Sequence, residues 1–228
     1  MGKNLSVAID GPSGAGKSSQ ARTLAKKIGF IYVDTGAIYR TVGLAAYRRG
    51  IDRKNESAVA AILPELNIEM RYNDAGEQRM ILNGEDVSEA IRMPEISVCA
   101  SEVSALPVVR AYLLDMQRKM AEENNVIMDG RDIGTVVLPN ADLKIFLTAS
   151  AEARARRRML ELQGKGVECS FDEVLKDMII RDEKDSTRAA APLKKADDAV
   201  LLDTSELDFD ASFNRLCEIV AENLNLKL

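Results

Sequence analysis

The sequence predicts an α/β fold built on a five-stranded parallel sheet flanked by helices. Three observations predict it. Apolar runs alternate with stretches of helical spacing along the 228 residues, as in a parallel three-layer core. The first apolar run leads directly into a glycine-rich turn and a helix. One region, Leu66 to Ser88, breaks this rhythm by alternating apolar and polar residues, which predicts a small antiparallel insert.

Leu5, Val7 and Ile9 supply the first strand, Leu5–Ile9. "DGPSGAGKSS" follows, and Gly11, Gly16, Lys17 and Ser18 fit G-x-x-x-x-G-K-[ST], the P-loop pattern. The turn comprises Gly11, Pro12, Ser13, Gly14, Ala15, Gly16, Lys17, Ser18 and Ser19. Its glycines let successive N–H groups point at phosphate oxygens. The next helix, Lys17–Ile28 with Gly29 as its stop, turns its positive end to the same anion. Lys17 is placed to reach β/γ-phosphates, and the Ser18 hydroxyl to ligate Mg²⁺. The donor is therefore a nucleoside triphosphate; the loop does not name the acceptor.

The second strand, Phe30–Val33, runs into "VDTGAIYR" and a helix over Gly36–Arg49. The insert carries turn signals at Asn73-Asp74-Ala75-Gly76 and at Asn83-Gly84. It is expected to project as a subdomain, either as a decorative hairpin or as a flap over a substrate. Helices follow over Pro94–Ala105 and Val108–Glu123, then the third strand, Val126–Met128, and the fourth, Leu143–Leu147. Helices over Ala151–Gln163 and Ser170–Lys184, the fifth strand, Ala199–Leu202, and a helix over Phe209–Asn223 complete the chain.

Composition narrows the chemistry. The chain is 46% hydrophobic and 29% charged, ordinary for a globular protein. A net charge of −5 speaks against a nucleic acid polymer as partner. No apolar run approaches a membrane span, and "MGKNLSVAID" enters a strand directly, so neither leader nor membrane is expected and the cytoplasm is the expected location. Cys99, Cys169 and Cys217 form no CxxC pair and read as small hydrophobes in a reducing compartment. The chain has no histidine, which removes His acid–base chemistry, His triads and most zinc sites. The reaction rests on Lys, Arg, Asp and a metal.

In an open parallel sheet, ligands sit beyond the carboxyl ends of the strands. Those ends carry Asp34, Thr35, Tyr39 and Arg40; Asp129, Arg131 and Asp132; and, before the fifth strand, Arg181, Asp185 and Arg188. Arg181 and Arg188 share a face if their helix continues, as Arg154 and Arg158 do on theirs. Guanidinium groups bind phosphate bidentately and stay charged, so arginines converging on one cleft neutralise a transferring phosphoryl group. The alternative for Arg154 to Arg158 is a solvated helix face. Asp129 stands where a P-loop protein keeps a carboxylate for Mg²⁺, usually through water; otherwise it pairs with Arg131 or caps a turn. The guanine-reading N-K-x-D is absent.

With the P-loop, the stretches "DTGAIYR", "DGRDIGTVV" and "RDEKDSTRAAAPL" resemble those of the bacterial cytidylate kinases, among the nucleoside monophosphate kinases, over essentially the whole chain. The resemblance implies a P-loop kinase fold with a core at 1–34, 106–150 and 186–228. It implies an acceptor-binding subdomain at 35–105 holding the insert of about 66–88, and a short lid with its helices at 151–185, around Gly164 to Ser170. It implies ATP as donor with Mg²⁺, CMP or dCMP as acceptor, and a monomer. Gly11 to Ser19 are then the ATP phosphate loop, and Arg154, Arg157 and Arg158 the lid arginines near ATP. Arg40, Arg131 and Arg188 match positions that grip the CMP phosphate or the transferring group. Ser101, Arg110 and Asp132 match positions that read cytosine, and Arg181 and Asp185 positions near the ribose and phosphates. Thr35 stands where many members have Ser, and keeps the hydroxyl. Lys17, Arg131, Arg181 and Arg188 are the expected catalytic set. Another small-acceptor kinase and a non-catalytic nucleotide-binding regulator are the alternatives.

Overall fold

The computed structural model describes residues 3–164 and 166–227. Both chain ends of the expected core, Met1-Gly2 and Leu228, and Lys165 of the expected lid loop lie outside the described residues. In chain order the elements begin with β1 (Ser6–Asp10), α1 (Lys17–Ile28), β2 (Ile31–Asp34), α2 (Thr35–Arg48) and α3 (Glu56–Ile62). The insert contributes β3 (Ile68–Tyr72), β4 (Gln78–Leu82) and β5 (Glu85–Asp86). Then come α4 (Pro94–Val103), α5 (Pro107–Glu123), β6 (Val126–Gly130) and β7 (Leu143–Thr148). The chain closes with α6 (Ala151–Gly164), α7 (Phe171–Thr187), β8 (Val200–Asp203) and α8 (Phe209–Leu224).

Five strands form one sheet in the order β2-β6-β1-β7-β8, and every pairing in it is parallel. Successive strand residues point to opposite faces. Ala8, Val126 and Met128 therefore join one apolar layer with Ile38, Val42 and Leu113. Val7, Ile9 and Ile127 join the other with Leu24, Leu216 and Val220. A third, smaller cluster of Ala155, Val174 and Met178 holds α6 against α7. Local signals set the helix starts: Asp34 accepts from the Ala37 N–H (3.0 Å), Asp208 from Ala211 (2.8 Å), and Ser170 with Glu173 forms a capping box.

The insert is the three-stranded antiparallel sheet β3-β4-β5. Its Ile68, Met80 and Leu82 belong to the same apolar layer as Ala8 and Met128, so it shares the core of the molecule. Two departures from the sequence reading bear on the site. β6 runs on to Gly130, which keeps Asp129 on the strand. α7 ends at Thr187, and Arg188 has left the helix with ψ at 139°, so Arg181 and Arg188 share no helical face. The chain turns back there: Ala191 is left-handed (φ 49°), and its carbonyl accepts from Arg188 Nε at 2.7 Å. Among the described residues, no single helix is long and apolar enough to cross a membrane.

Candidate active site

A cavity of about 730 Å³ opens at the carboxyl ends of β1, β2 and β6. On one side lies the loop from β1 to α1. Gly11 lets it pass close to β7, because a Cβ there would sit 1.9 Å from the Leu147 carbonyl oxygen. Ser13, Gly14, Gly16, Lys17, Ser18 and Ser19 line the cavity; Gly11, Pro12 and Ala15 build the loop behind them. Lys17 is buried and donates to the Pro12 carbonyl at 2.8 Å. Burial, then the Arg131 charge, pulls its ammonium down to about 7, against the pull of Asp129 and Asp10.

Ser18 donates to Asp129 Oδ2 and Tyr32 donates to Asp129 Oδ1, each at 2.8 Å. The Asp129 carboxyl is raised by burial and by the Asp34 charge. The expected alternative partner, Arg131, is engaged elsewhere. A hydroxyl and a carboxylate at the phosphate loop are hard oxygen donors and fit Mg²⁺. Among the described residues no three His, Cys, Asp or Glu side chains converge on a metal position.

Asp10, at the end of β1, ties the two sides together. Its carboxylate accepts from the Ile133 and Gly134 N–H groups at 2.7 Å each. Burial still raises it to about 6, despite those two bonds. The loop it clamps starts in a wide turn after Asp132, in which Leu138 N–H reaches back to the Ile133 carbonyl at 2.7 Å.

Arginines crowd the opposite wall. Arg40, Arg110, Arg131, Arg157, Arg158, Arg181 and Arg188, seven in all, line the cavity with Thr35, Ser101, Asp132 and Asp185. Most are held by carboxylates: Arg40 by Asp34 (2.7 Å), Arg131 by Asp185 (2.8 Å), and both Arg110 and Arg188 by Asp132, the latter at 3.3 Å. Arg110 also lies over the Tyr39 ring, 5.4 Å from its centre. Arg181 differs. It has no hydrogen bond or ion pair among the described residues, its Nε is buried without an acceptor, and burial with the Arg131 and Arg40 charges lowers its pKa. Thr35 turns its hydroxyl inward, donating to the Asp129 carbonyl at 2.8 Å. Gly130 leaves room for that contact, since a Cβ there would meet Thr35 Oγ1 at 2.8 Å.

The three expected lid arginines of α6 separate. Arg154, with its side chain 4% exposed, lies behind the phosphate loop, donating to Ser13 and Ala149 carbonyls and pairing with Asp182. It braces the loop and does not line the cavity, unlike the expectation for a lid arginine. Arg157 reaches across to the Thr204 and Leu207 carbonyls after β8. Arg158 pairs with Glu161 at the rim (2.8 Å). Sequence reading gave no role to Asp10, Tyr32, Gln78 or Asp182. Only Asp10 left a signal, an acid closing an otherwise apolar strand.

A phosphate loop facing an arginine-lined acceptor wall across one cavity defines a small-acceptor P-loop phosphotransferase. The chain belongs to the cytidylate kinase family, whose model, described as "Cytidylate kinase", matches residues 7–224. It is 51% identical to the cytidylate kinase of Geobacter sulfurreducens over 220 residues, covering 96% of this chain and 94% of that one. It is 47% identical to that of Syntrophotalea carbinolica over 222 residues (97% and 94%) and 49% identical to that of Carboxydothermus hydrogenoformans over 216 (95% and 97%). A solved structure, an uncharacterized protein from Eubacterium ventriosum, shares the fold with a TM-score of 0.53 at 13% identity, over 96% of this chain and 99% of that one.

Proposed function

We infer that this chain transfers the γ-phosphoryl group of ATP to CMP and dCMP, giving ADP and CDP or dCDP. The observation that carries the reading is the cavity itself, with Lys17 and Ser18 on one wall and seven arginines around it, in a chain of this family. An oxygen of the acceptor phosphate forms the new bond to the γ-phosphorus, and the bond from that phosphorus to the β–γ bridging oxygen breaks. The nucleophile is already an anion, so no general base is needed, in keeping with a chain that has no histidine. Catalysis is alignment and charge stabilisation.

In this reading Lys17 and the loop N–H groups hold the β/γ-phosphates, and Arg40, Arg131 and Arg188 hold the acceptor phosphate and the group in flight. Arg181 and Asp185 serve the ribose and the phosphates. Ser18 and Asp129 would hold Mg²⁺, which when bound would neutralise charge on the donor phosphates. Asp132 accepts from the cytosine amino group, assisted by Ser101, while Arg110 donates to the ring acceptors. Uracil turns a carbonyl toward the same carboxylate and leaves buried polar groups unpaired. Residues 35–105 form the acceptor-binding side, and α6 with α7 the lid that excludes water. The proposed working form is a monomer in the cytoplasm.

An ADP-release assay with ATP and Mg²⁺ tests the reading against CMP, dCMP, UMP, AMP, GMP and shikimate. Strong turnover is expected with CMP and dCMP and little with the others. A different preferred acceptor refutes the base assignment.

The lowered Lys17 pKa gives a second test. A lysine at about 7 is mostly neutral at pH 8 in the free protein, and a bound triphosphate restores its charge. ATP binding at pH 8 is therefore expected to take up a proton. Calorimetry in two buffers of different ionisation enthalpy measures this, and equal heats in both count against it.

A further inference from the structure

The parallel sheet ends at β2, which pairs only with β6 within it. An open edge leaves backbone groups unpaired. Here two side chains of the insert fill it. Tyr72 donates its hydroxyl to the Tyr32 carbonyl at 3.0 Å. Gln78 Oε1 accepts from the Asp34 N–H at 2.7 Å, and its Nε2 donates to the Asp34 carbonyl at 3.2 Å. Tyr72 and Gln78 face each other in the β3–β4 register, so one rung of the hairpin docks on the edge. The Gln78 amide reproduces what a neighbouring strand would offer to one residue, a donor and an acceptor side by side.

The residue it grips carries the acceptor wall. Asp34 caps α2 through Oδ1, accepting from Ala37 N–H at 3.0 Å, and holds Arg40 through Oδ2 at 2.7 Å. Thr35, Gly36 and Arg40 of the first turns of α2 line the cavity. A rigid line of bonds thus runs from Gln78 to the Asp34 backbone, to its carboxylate, and to the Arg40 guanidinium.

We propose that Gln78 is a positioning residue for acceptor binding. The antiparallel insert, through this one amide, fixes the Asp34–Arg40 pair that meets the acceptor phosphate. The inference rests on the functional reading above, because it takes CMP as the acceptor. Gln78 touches no substrate; it acts on the orientation of Arg40. Losing that orientation weakens acceptor binding selectively, since the donor loop belongs to β1 and α1 on the other side of the cavity.

The test compares Gln78→Leu, Gln78→Glu and Tyr72→Phe with the unaltered chain by KM for CMP, KM for ATP, kcat, and CMP binding by calorimetry. Gln78→Leu is expected to raise the CMP KM and Kd about tenfold, with the ATP KM within about twofold and kcat little changed. Gln78→Glu keeps the acceptor for Asp34 N–H but sets an oxygen against the Asp34 carbonyl; it is expected to raise the CMP KM at least as much as the leucine change, and it carries the test if the leucine variant does not fold. Tyr72→Phe, on the same rung but bonded to the Tyr32 carbonyl two residues before Asp34, is expected to change the CMP KM by about twofold or less. An unchanged CMP KM in both folded Gln78 variants overturns the proposal, as does an equal rise in the KM values for both substrates. An unaltered chain that does not phosphorylate CMP overturns the functional reading and this inference with it. An active unaltered chain with indifferent variants overturns this inference alone.

Discussion

Arg181→Met is expected to lower kcat about a thousandfold while leaving the unfolding temperature unchanged or slightly higher. Arg181 is the cavity arginine without a partner among the described residues, and its Nε is buried with no acceptor. Burial and the charges of Arg131 and Arg40 press on it together, and the two carboxylates that oppose them, Asp185 and Asp182, are already held by Arg131 and Arg154. Such a cation destabilises the empty protein, and methionine keeps much of its apolar stem without the charge. The same imbalance makes it a strong stabiliser of negative charge arriving between donor and acceptor. Sites that hold uncompensated charge for a ligand trade stability for activity in this way. Arg188→Ala makes the contrast. It also loses activity, and far more activity than stability. Because Arg188 holds Asp132 at 3.3 Å and the Ala191 carbonyl at 2.7 Å, its loss also costs some stability. Steady-state kinetics and thermal unfolding on both variants measure the difference. A normal kcat in Arg181→Met, or a fall in stability of more than about 2 kcal/mol, defeats the assignment.

The parts of this site that were legible in the sequence are those whose backbone demands particular residues. The phosphate loop needs glycine where the chain passes Leu147, and it is readable at once. The Asn83-Gly84 turn was readable for a similar reason: both residues have positive φ, 51° and 87°, the requirement of a two-residue hairpin joining β4 to β5. The five parallel strands appeared within a residue or two, because buried strands need continuous apolar runs. Arginine partners were not legible. The side chain is long, and whether Arg131 meets Asp129 or Asp185 depends on how α7 lies across the cavity. Helical spacing left the pair Arg181 and Arg188 open, because it holds only inside a helix, and α7 stops at Thr187. Both reach the same cavity, the second from a loop. Spacing put Arg154 and Arg158 on one face correctly, but one is buried under the phosphate loop and the other sits at the rim. The short helix α3 was missed too; its signal is one cap, Asn55 accepting from Ala58 N–H at 3.0 Å. Side chains that act on backbone groups far away in sequence, Asp10 on residues 133 and 134 and Gln78 on Asp34, carry no local pattern.

Asp132→Ala is expected to cost about 3–5 kcal/mol of stability and to abolish measurable CMP phosphorylation. The carboxylate is 5% exposed and stands between two guanidinium groups, Arg110 at 10% and Arg188 at 8% exposure. Removing it leaves two like charges facing each other where water is scarce. Burial and the Arg110 charge already lower the Arg188 pKa with Asp132 present to oppose them. Among the described residues, Arg110 keeps the Ser104 carbonyl and the Tyr39 ring as company. The penalty therefore comes from the stranded cations more than from the lost contacts, and that difference is measurable. In an Arg110→Met background the same Asp132→Ala change is expected to cost less, by about 1–2 kcal/mol, because one of the two cations is gone. Chemical unfolding of the four proteins in the cycle gives the coupling directly. Catalysis separates from stability in the same set: the double variant is expected to lose less stability than the two single changes summed and to have no CMP turnover, since both groups proposed to meet the base are missing. A zero coupling energy means that Asp132 is not the counter-charge of Arg110 in solution. A double variant that phosphorylates CMP normally means that the base is read elsewhere in the cavity.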